Sequence, residues 1–232
     1  MKDSDRPPSQ AELPARVAAL VHSHTQAFGF RPPPEFSSHL ETFAAILAQW
    51  GVRTNLTARP DNPEEIAFHI VDSLAPTMIA PQSPVLTDAF EVTHHVLDLG
   101  SGAGFPGLIL AMTMPAQFLL VEARHRRASF LQVTAVAMNL HNVTVRPHVD
   151  ANDRAAFDIV TSRAFGTPEL ALETAANALK RGGHVILYLN PSQRIAEDLG
   201  VTYGLAESAR YEYSVERDGT PLKRALMVWK KT

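Results

Sequence analysis

An apolar run that leads directly into a glycine-rich turn is the feature that most restricts the fold of this chain. Residues 96–107 have the sequence VLDLGSGAGFPG, in which four glycines follow the apolar run. A nearly continuous apolar run is typical of a strand that is buried on both faces of a sheet. Glycines allow the backbone after such a strand to turn tightly and to approach a ligand closely. The segment therefore predicts a buried strand, a ligand-binding loop and a helix that begins near Pro106.

Short apolar runs of the same kind recur downstream and alternate with segments of helix length. The runs cover residues 96–99, 118–121, 143–145, 157–160 and 185–189, and a predicted helix covers residues 124–140. This alternation predicts an α/β fold with a Rossmann-like, doubly wound and mostly parallel sheet, whose ligands bind at the carboxyl ends of the strands. Two late strand candidates, around residues 211–213 and 225–229, predict an antiparallel edge.

The first third of the chain predicts helices that are separated by prolines. Apolar residues at helical spacing predict helices over residues 12–28 and 36–50, the second of which we expect to end at Gly51. A third helix is expected after Asn62, whose side chain can cap a helix that begins with Pro63. We predict a disordered tail over residues 1–10, a helical cap over residues 11–90 and a ligand-binding domain over residues 91–232.

The overall composition excludes several classes of function. The chain has 21 basic and 24 acidic residues, so it is not a generic polycation that coats nucleic acid, although a local basic groove remains possible. It contains no cysteine, which excludes disulfides, thiolate metal sites and cysteine nucleophiles. The histidines do not form a His-Glu-x-x-His pattern, so no metal site is expected. No apolar leader or membrane-spanning run is present, and we expect a soluble cytoplasmic protein.

Two cofactors compete for the glycine loop. Residues 102–107 satisfy the Gly-x-Gly-x-x-Gly dinucleotide fingerprint, and Glu122 follows at the distance expected of a ribose-binding acid in an NAD site. However, Asp98 lies just before the first glycine, where a carboxylate would repel a pyrophosphate and suit a cationic ligand. The pattern resembles that of the class I S-adenosylmethionine (SAM) methyltransferases, whose cofactor carries a sulfonium and an ammonium and no phosphate. The charges therefore favour SAM over NAD.

The third strand ends with a further candidate for cofactor binding. Asp150 follows this strand, where an acid of the methyltransferase fold would reach the adenine amino group, and Val149 would lie against the ring. The alternative is a solvated carboxylate in a loop, and position alone leaves both interpretations open.

Several further motifs resemble a single family. In chain order they are NLT at residues 55–57, FHIVDSL at 68–74, FPG at 105–107, Glu122 with the arginine pair at 126–127, and SRAF at 162–165. Together they are similar to the RsmG family, also called GidB, whose members methylate N7 of a guanine in 16S ribosomal RNA. The FPG and SRAF segments are much more particular than a generic SAM motif.

The resemblance implies roles for individual residues. It implies SAM contacts at Gly100, Phe105, Val149, Asp150 and Arg163, to which the loop pattern adds Asp98, Ser101, Gly102, Gly104 and Glu122. It places His69, Asp72 and Arg163 near the catalytic cleft. Because His69 and Asp72 are three residues apart, their side chains can pair on one helical face. RNA contacts are expected at Arg126, Arg127 and Arg224, and the partner would be 16S rRNA or a small-subunit particle that is bound by a monomer.

The expected chemistry agrees with what the sequence lacks. Guanine N7 has an in-plane lone pair and no proton, so its methylation requires positioning rather than a base or a covalent nucleophile. Pyrimidine C5 methylation would require a cysteine, and the Asn/Asp-Pro-Pro-Tyr cluster of many exocyclic-amine methyltransferases is replaced here by residues 162–165.

Two departures from the family pattern leave other functions open. Leu189 with Asn190 replaces a Lys-Gly pair, and His148 replaces an arginine, so two positive charges are missing. A SAM methyltransferase acting on another RNA or a small molecule, and a SAM-binding ribosome-assembly factor without turnover, therefore remain alternatives. An NAD enzyme is a more distant one.

Overall fold

The computed structural model describes residues 9, 11–26, 28–80, 86, 93–193, 195, 196 and 198–232. Its strands are β1 (His95–Leu99), β2 (Gln117–Val121), β3 (Val143–Arg146), β4 (Phe157–Arg163), β5 (Leu179–Leu189), β6 (Leu205–Arg217) and β7 (Thr220–Lys231). The described helices are α1 (Leu13–Gln26), α2 (Phe36–Thr54), α3 (Pro63–Ser73), α4 (Ala75–Ile79), α5 (Gly107–Ala111), α6 (His125–Ala137), α7 (Pro168–Ala178) and α8 (Leu199–Thr202). A 3₁₀ turn, Ala151–Asp153, follows β3.

The strands form one mixed sheet in the order β3-β2-β1-β4-β5-β7-β6. Strands β1 to β5 are parallel, whereas β7 runs antiparallel to both β5 and β6. The predicted α/β fold with an antiparallel edge is therefore confirmed. The strand order reverses beside β1, and in sheets of this kind ligands bind outside the carboxyl ends of the strands at such a point.

The second helix does not end where the sequence predicts. Helix α2 continues through Gly51 to Thr54 and is followed by Asn55 in the left-handed conformation. A Cβ at Gly51 would lie 2.2 Å from Cβ of Pro60, so this glycine permits a close approach of two segments. The predicted end at Gly51 is wrong, because the glycine serves tertiary packing and does not terminate the helix.

The third helix begins as predicted. Asn62 has an extended backbone, and its side chain accepts a hydrogen bond of 2.7 Å from the backbone N–H of Glu65. Pro63 occupies the first turn, where no backbone N–H is needed. The cap fixes the start of α3, and with it the positions of His69 and Asp72.

The N-terminal helices share a core with one face of the sheet. Residues such as Phe43, Ile70, Phe105 and Ile186 belong to one buried cluster that spans α2, α3, the glycine loop and β5. The opposite face of the sheet packs on α7. Residues 1–8, 10, 81–85 and 87–92 lie outside the described residues, so the predicted tail and the boundary at residue 90 stay predictions. Within the described ranges, every helix is too short or too polar to traverse a lipid bilayer.

Candidate active site

The glycine loop follows β1 and has the conformation that its sequence requires. Gly100, Gly102 and Gly104 have φ angles of 70°, 55° and 92°. A Cβ at Gly100 would lie 2.9 Å from the ring of Phe165, so the loop is closely packed there. At Gly102, by contrast, a Cβ would meet no atom beyond its chain neighbours within 3.7 Å. The missing side chain therefore leaves a small open space at Gly102, the cradle, which a Cβ would fill without a clash.

Asp98 lies beneath this loop and is fully buried. Its carboxylate accepts hydrogen bonds from Thr161 Oγ1 at 2.7 Å and from the backbone N–H of Gly107 at 3.1 Å. Burial raises the pKa of Asp98. The geometry does not support the predicted contact with a cationic ligand, because the carboxylate is enclosed between β4 and the first turn of α5. Ser101 is buried as well, and its backbone N–H donates to Val121.

Glu122 anchors the other side of the loop. Its carboxylate accepts hydrogen bonds from the backbone N–H of Gly102 at 3.0 Å and of Arg124 at 2.8 Å. The residue is only 6% exposed, so the end of β2 and the loop are held together at this point. Glu122 and Gly102 thus lie side by side, and their assignment to one cofactor site stays a prediction.

Val149 and Asp150 line a cavity of about 420 Å³ between the 3₁₀ turn and α7. The carboxylate of Asp150 accepts hydrogen bonds from Arg146 at 2.6 Å and from the backbone N–H of Asn152 at 2.8 Å. Its side chain is 38% exposed, so it keeps access to the cavity. The carboxylate is ordered by its partners rather than freely solvated.

Phe105 connects the glycine loop to the residues around the cleft. Its ring centroid lies 5.1 Å from that of His69, and the guanidinium of Arg163 lies 5.0 Å from the Phe105 ring centroid. The aromatic ring itself is buried. Phe105 therefore places His69 and Arg163 in contact with the glycine loop.

A buried ionic cluster is centred on Asp72, which is fully enclosed. Its Oδ2 accepts hydrogen bonds from Arg163 at 3.0 Å and from Arg224 Nη2 at 3.2 Å. Its Oδ1 accepts from Arg224 Nε at 3.0 Å and from the hydroxyl of Tyr213 at 2.8 Å. Burial raises the pKa of Asp72, but Arg163 and Arg224 outweigh it and leave that pKa below its ordinary value. Burial also raises the pKa of Tyr213, which remains a donor.

His69 does not pair with Asp72, and this prediction is wrong. Its Nε2 lies 3.2 Å from a carboxylate oxygen of Glu65, one helical turn earlier. The carboxylate of Asp72 is taken instead by the two guanidinium groups, which compete for it with full positive charges. Burial, assisted by the charge of Arg163, lowers the pKa of His69 to about 4. His69 is neutral near pH 7, and its buried Nδ1 has no hydrogen-bond partner among the described residues.

A cavity of about 470 Å³ opens above this cluster, between α3, the ends of β4 and β5, and the hairpin of β6 and β7. Its charged lining residues are Asp72, Arg163, Arg217, Lys223 and Arg224. Four cations against one carboxylate give the lining a formal charge of +3, while Phe68 and His69 add aromatic surface. The cavity suits a ligand that carries negative charge and a planar ring.

Sequence reasoning missed Tyr213 as a residue of the Asp72 cluster and Arg217 as a residue of this cavity. The signal that would have found them is Asp218-Gly219, a typical hairpin turn between two strand patterns. Pairing the strands across this turn places Tyr213 opposite Arg224.

The replaced Lys-Gly pair has a structural counterpart. Leu189 is buried, and the side chain of Asn190 accepts a hydrogen bond from Arg224. A guanidinium from β7 therefore lies beside Leu189-Asn190, where the resemblance implies a lysine.

The three predicted RNA contacts have different environments. Arg126 is exposed on α6. Arg127, on the same helix, donates a hydrogen bond of 2.8 Å to the carbonyl of Asn55. Arg224 is 14% exposed and binds Asp72. Of the three, only Arg126 has a side chain that is fully available to a macromolecule.

Comparison with known proteins identifies relatives of this chain. The family model for GidB, rRNA small subunit methyltransferase G, matches residues 37–198. A protein of Clostridium beijerinckii named ribosomal RNA small subunit methyltransferase G is 31% identical over 221 residues, which cover 91% of this chain and 89% of that protein. One of the same name from Acidiphilium cryptum is 40% identical over 154 residues, or 65% and 66% of the two chains.

Solved structures resemble the fold. The crystal structure of the tRNA methyltransferase TrmI from Aquifex aeolicus aligns with a TM-score of 0.51 and 17% identity, over 68% of this chain and 69% of that one. At this identity the likeness concerns the fold alone. The family match covers the glycine loop, His69, Asp72 and Arg163.

Proposed function

The chain belongs to the GidB family, rRNA small subunit methyltransferase G, and from this premise we propose that it transfers a methyl group from SAM to N7 of a guanine in 16S rRNA. The observation that carries the proposal is the position of Phe105. This loop residue contacts both His69 and Arg163, which line the basic cavity. A methyl donor at the loop and a nucleotide in the cavity would therefore be neighbours, as an in-line displacement requires.

The residues around the loop fit SAM. The cradle at Gly102 allows a close approach, and the adjacent carboxylate of Glu122 can accept hydrogen bonds from ribose hydroxyls. Asp150 and Val149 provide an acceptor and an apolar contact for adenine. SAM would supply an electrophilic methyl group at this point. The enclosed Asp98 has an indirect role. Its hydrogen bonds with Thr161 of β4 and with Gly107 at the start of α5 fix the positions of these two elements beside the loop.

The protonation states in the cavity agree with methylation of a ring nitrogen that bears no proton. Asp72 accepts four hydrogen bonds and is ionised, and the burial of Tyr213 keeps its hydroxyl protonated. His69 is neutral, with a pKa of about 4, so it is a poor proton acceptor near pH 7. The residues therefore position the base and its phosphates, and no general base is needed to create the nucleophile.

The proposal is tested with SAM that carries a labelled methyl group. The protein is incubated with 16S rRNA transcribed without modifications, and in parallel with 30S particles from cells that lack the gene. We expect label in 7-methylguanosine after nuclease digestion and mass spectrometry. Particles from wild-type cells, already methylated, are the matched control and should accept little label. Label in a different nucleoside, or none in either substrate, would overturn the proposal.

A further inference from the structure

We propose that the projecting end of the β6–β7 hairpin is an RNA-binding element, in which Arg217 and Lys223 contact phosphodiester groups at the rim of the basic cavity. The inference rests on the proposed function and deepens it. It assigns substrate binding to two residues other than the arginines predicted to contact RNA.

The strand register shows that the hairpin extends beyond the sheet. Pairing between β5 and β7 ends at Leu189 with Ala225, whereas pairing between β6 and β7 continues to Arg217 with Thr220. Among the described residues, no strand pairs with residues 220–224 of β7 on the β5 side. This unpaired edge adjoins the cavity, because Leu222, Lys223 and Arg224 all line it.

The cations of the cavity fall into an inner and an outer pair. Arg163 and Arg224 are 15% and 14% exposed, and they share the carboxylate of Asp72. Arg217 is 39% exposed, and Lys223 is exposed. The inner charges are partly neutralised and buried, so the outer pair is the one that meets an incoming polyanion first.

The outer cations also keep most of their binding capacity. Lys223 makes no ion pair with any residue in the described part of the chain. Arg217 lies 3.7 Å from a carboxylate oxygen of Glu65, longer than the usual charge-assisted hydrogen bond. That same oxygen lies 2.9 Å from Arg59. The five N–H donors of Arg217 are therefore largely available to phosphate oxygens.

The element is held in place before any RNA arrives. Arg59 donates a hydrogen bond of 2.9 Å to Asp218 at the hairpin turn, and the Arg217 guanidinium lies 5.2 Å from the ring centroid of Phe68. Tyr213 donates to Asp72 at the base of the projection. Because these contacts order the hairpin in the free protein, less conformational entropy is lost on binding.

The experiment measures the affinity of the whole protein for unmodified 16S rRNA transcript by filter binding at a series of salt concentrations. We expect Lys223→Ala and Arg217→Gln each to weaken binding about threefold to fivefold. Each substitution should also reduce the slope of log affinity against log salt by about 0.7. Arg217→Lys should restore most of the affinity because it keeps the charge. In methyl transfer, the loss should appear in KM for RNA.

Lys230→Ala is the matched control. It removes the same charge from the same strand, but Lys230 lies near the opposite end of β7, where it pairs with His184 of β5. If the two hairpin variants bind RNA as Lys230→Ala does, the inference is wrong. It is equally wrong if they weaken SAM binding in calorimetry, since the cations would then hold the cofactor.

The binding measurement requires no turnover. A wild-type protein that binds RNA through these residues but transfers no methyl group would refute the proposed function and leave the inference standing. If the protein methylates rRNA but neither substitution weakens RNA binding, the proposed function stands and the inference is refuted.

Discussion

Arg163 at the end of β4 donates a hydrogen bond of 3.0 Å to Asp72 on α3, and this salt bridge is buried. The same carboxylate binds Arg224 of β7 and Tyr213 of β6. Four elements that surround the cavity therefore meet at one side chain. The geometry of the cavity depends on Asp72. Its carboxylate accepts four hydrogen bonds from protein side chains, so its role is to hold these side chains in place.

Asp72→Asn should strongly destabilise the fold. The substitution keeps the size of the side chain but leaves two buried guanidinium groups without a counter-charge, at a cost of about 3–5 kcal/mol. Urea denaturation at pH 7 measures the loss. Asp158→Asn is the control, because Asp158 pairs with the half-exposed Lys180 and should cost about 1 kcal/mol or less. Equal losses for the two variants would contradict the central role of Asp72.

Gly102→Ala should impair SAM binding while the protein still folds. Only the positive φ of 55° is strained, since a Cβ there has no close neighbour, but the new methyl group would occupy the cradle. We expect a loss of stability of about 1 kcal/mol and at least a tenfold loss of SAM affinity in calorimetry.

Gly182→Ala is the matched control for this prediction. Gly182 in β5 has a φ of 82°, and a Cβ added there would meet no described atom within 4 Å, whereas a Cβ at Gly102 would make ordinary contacts at 3.7 and 3.8 Å; Gly182 does not lie in the glycine loop. It should lose similar stability and keep SAM affinity. If both variants bind SAM as the wild type does, the cradle at Gly102 is not part of the cofactor site.

The sequence predicts local features well and distant contacts poorly. The strand β1, the glycine loop and the cap at Asn62 follow from short segments whose residue types have few alternative conformations. The cluster at Asp72 joins residues 91 and 152 positions apart, which no local pattern specifies. The predicted pairing of His69 with Asp72 is wrong for the same reason. A spacing of three residues permits contact with Asp72, but the arginines of distant strands decide which carboxylate remains available.

Asp98→Asn should be tolerated far better than Asp98→Ala. An asparagine side chain can still accept from the Gly107 backbone and bond with Thr161, whereas alanine leaves both groups buried without a partner at a cost of about 1–3 kcal/mol each. Thermal unfolding measures stability, and calorimetry measures SAM affinity, which we expect the Asn variant to retain within about threefold. If the Asn variant loses SAM binding as completely as the Ala variant, the charge of Asp98 acts on the cofactor directly.

The environment of His69 should make the fold less stable as the pH falls from 7 to 5. Its pKa is about 4 in the folded protein and 6.5 in the reference state, so the unfolded chain takes up a proton in this range and the folded chain does not. This difference costs roughly 2 kcal/mol between pH 7 and pH 5. The groups that face His69 are Glu65, Asp72 and Arg163.

Urea denaturation of the wild type and of His69→Gln at the two pH values isolates this contribution from that of the other histidines. Glutamine does not titrate, and its amide can still donate to Glu65. The variant should lose less stability than the wild type by about the same 2 kcal/mol. An identical pH dependence in both proteins would show that folding does not lower the pKa of His69.

Arg127 and Arg126 should behave differently although they are neighbours on α6. Arg127 donates to the carbonyl of Asn55, and its guanidinium lies 3.8 Å from the position that a Cβ at Gly102 would take, so it ties the segment after α2 to α6 beside the glycine loop. Arg127→Met should cost about 1.5 kcal/mol through the lost charge-assisted bond. Arg126→Met removes an exposed cation and should change stability by less than about 0.5 kcal/mol.

For RNA binding, we expect the larger effect from Arg126, whereas for stability we expect it from Arg127. Arg126→Met should reduce the salt dependence of binding to unmodified 16S rRNA by about 0.7 in slope, as expected for one lost phosphate contact. Arg127→Met should leave that slope unchanged, because its guanidinium is already bound to the protein. Should both variants have the same stability and the same slope, the bond to Asn55 does not hold the cap against the loop, and the two residues form one solvated basic surface.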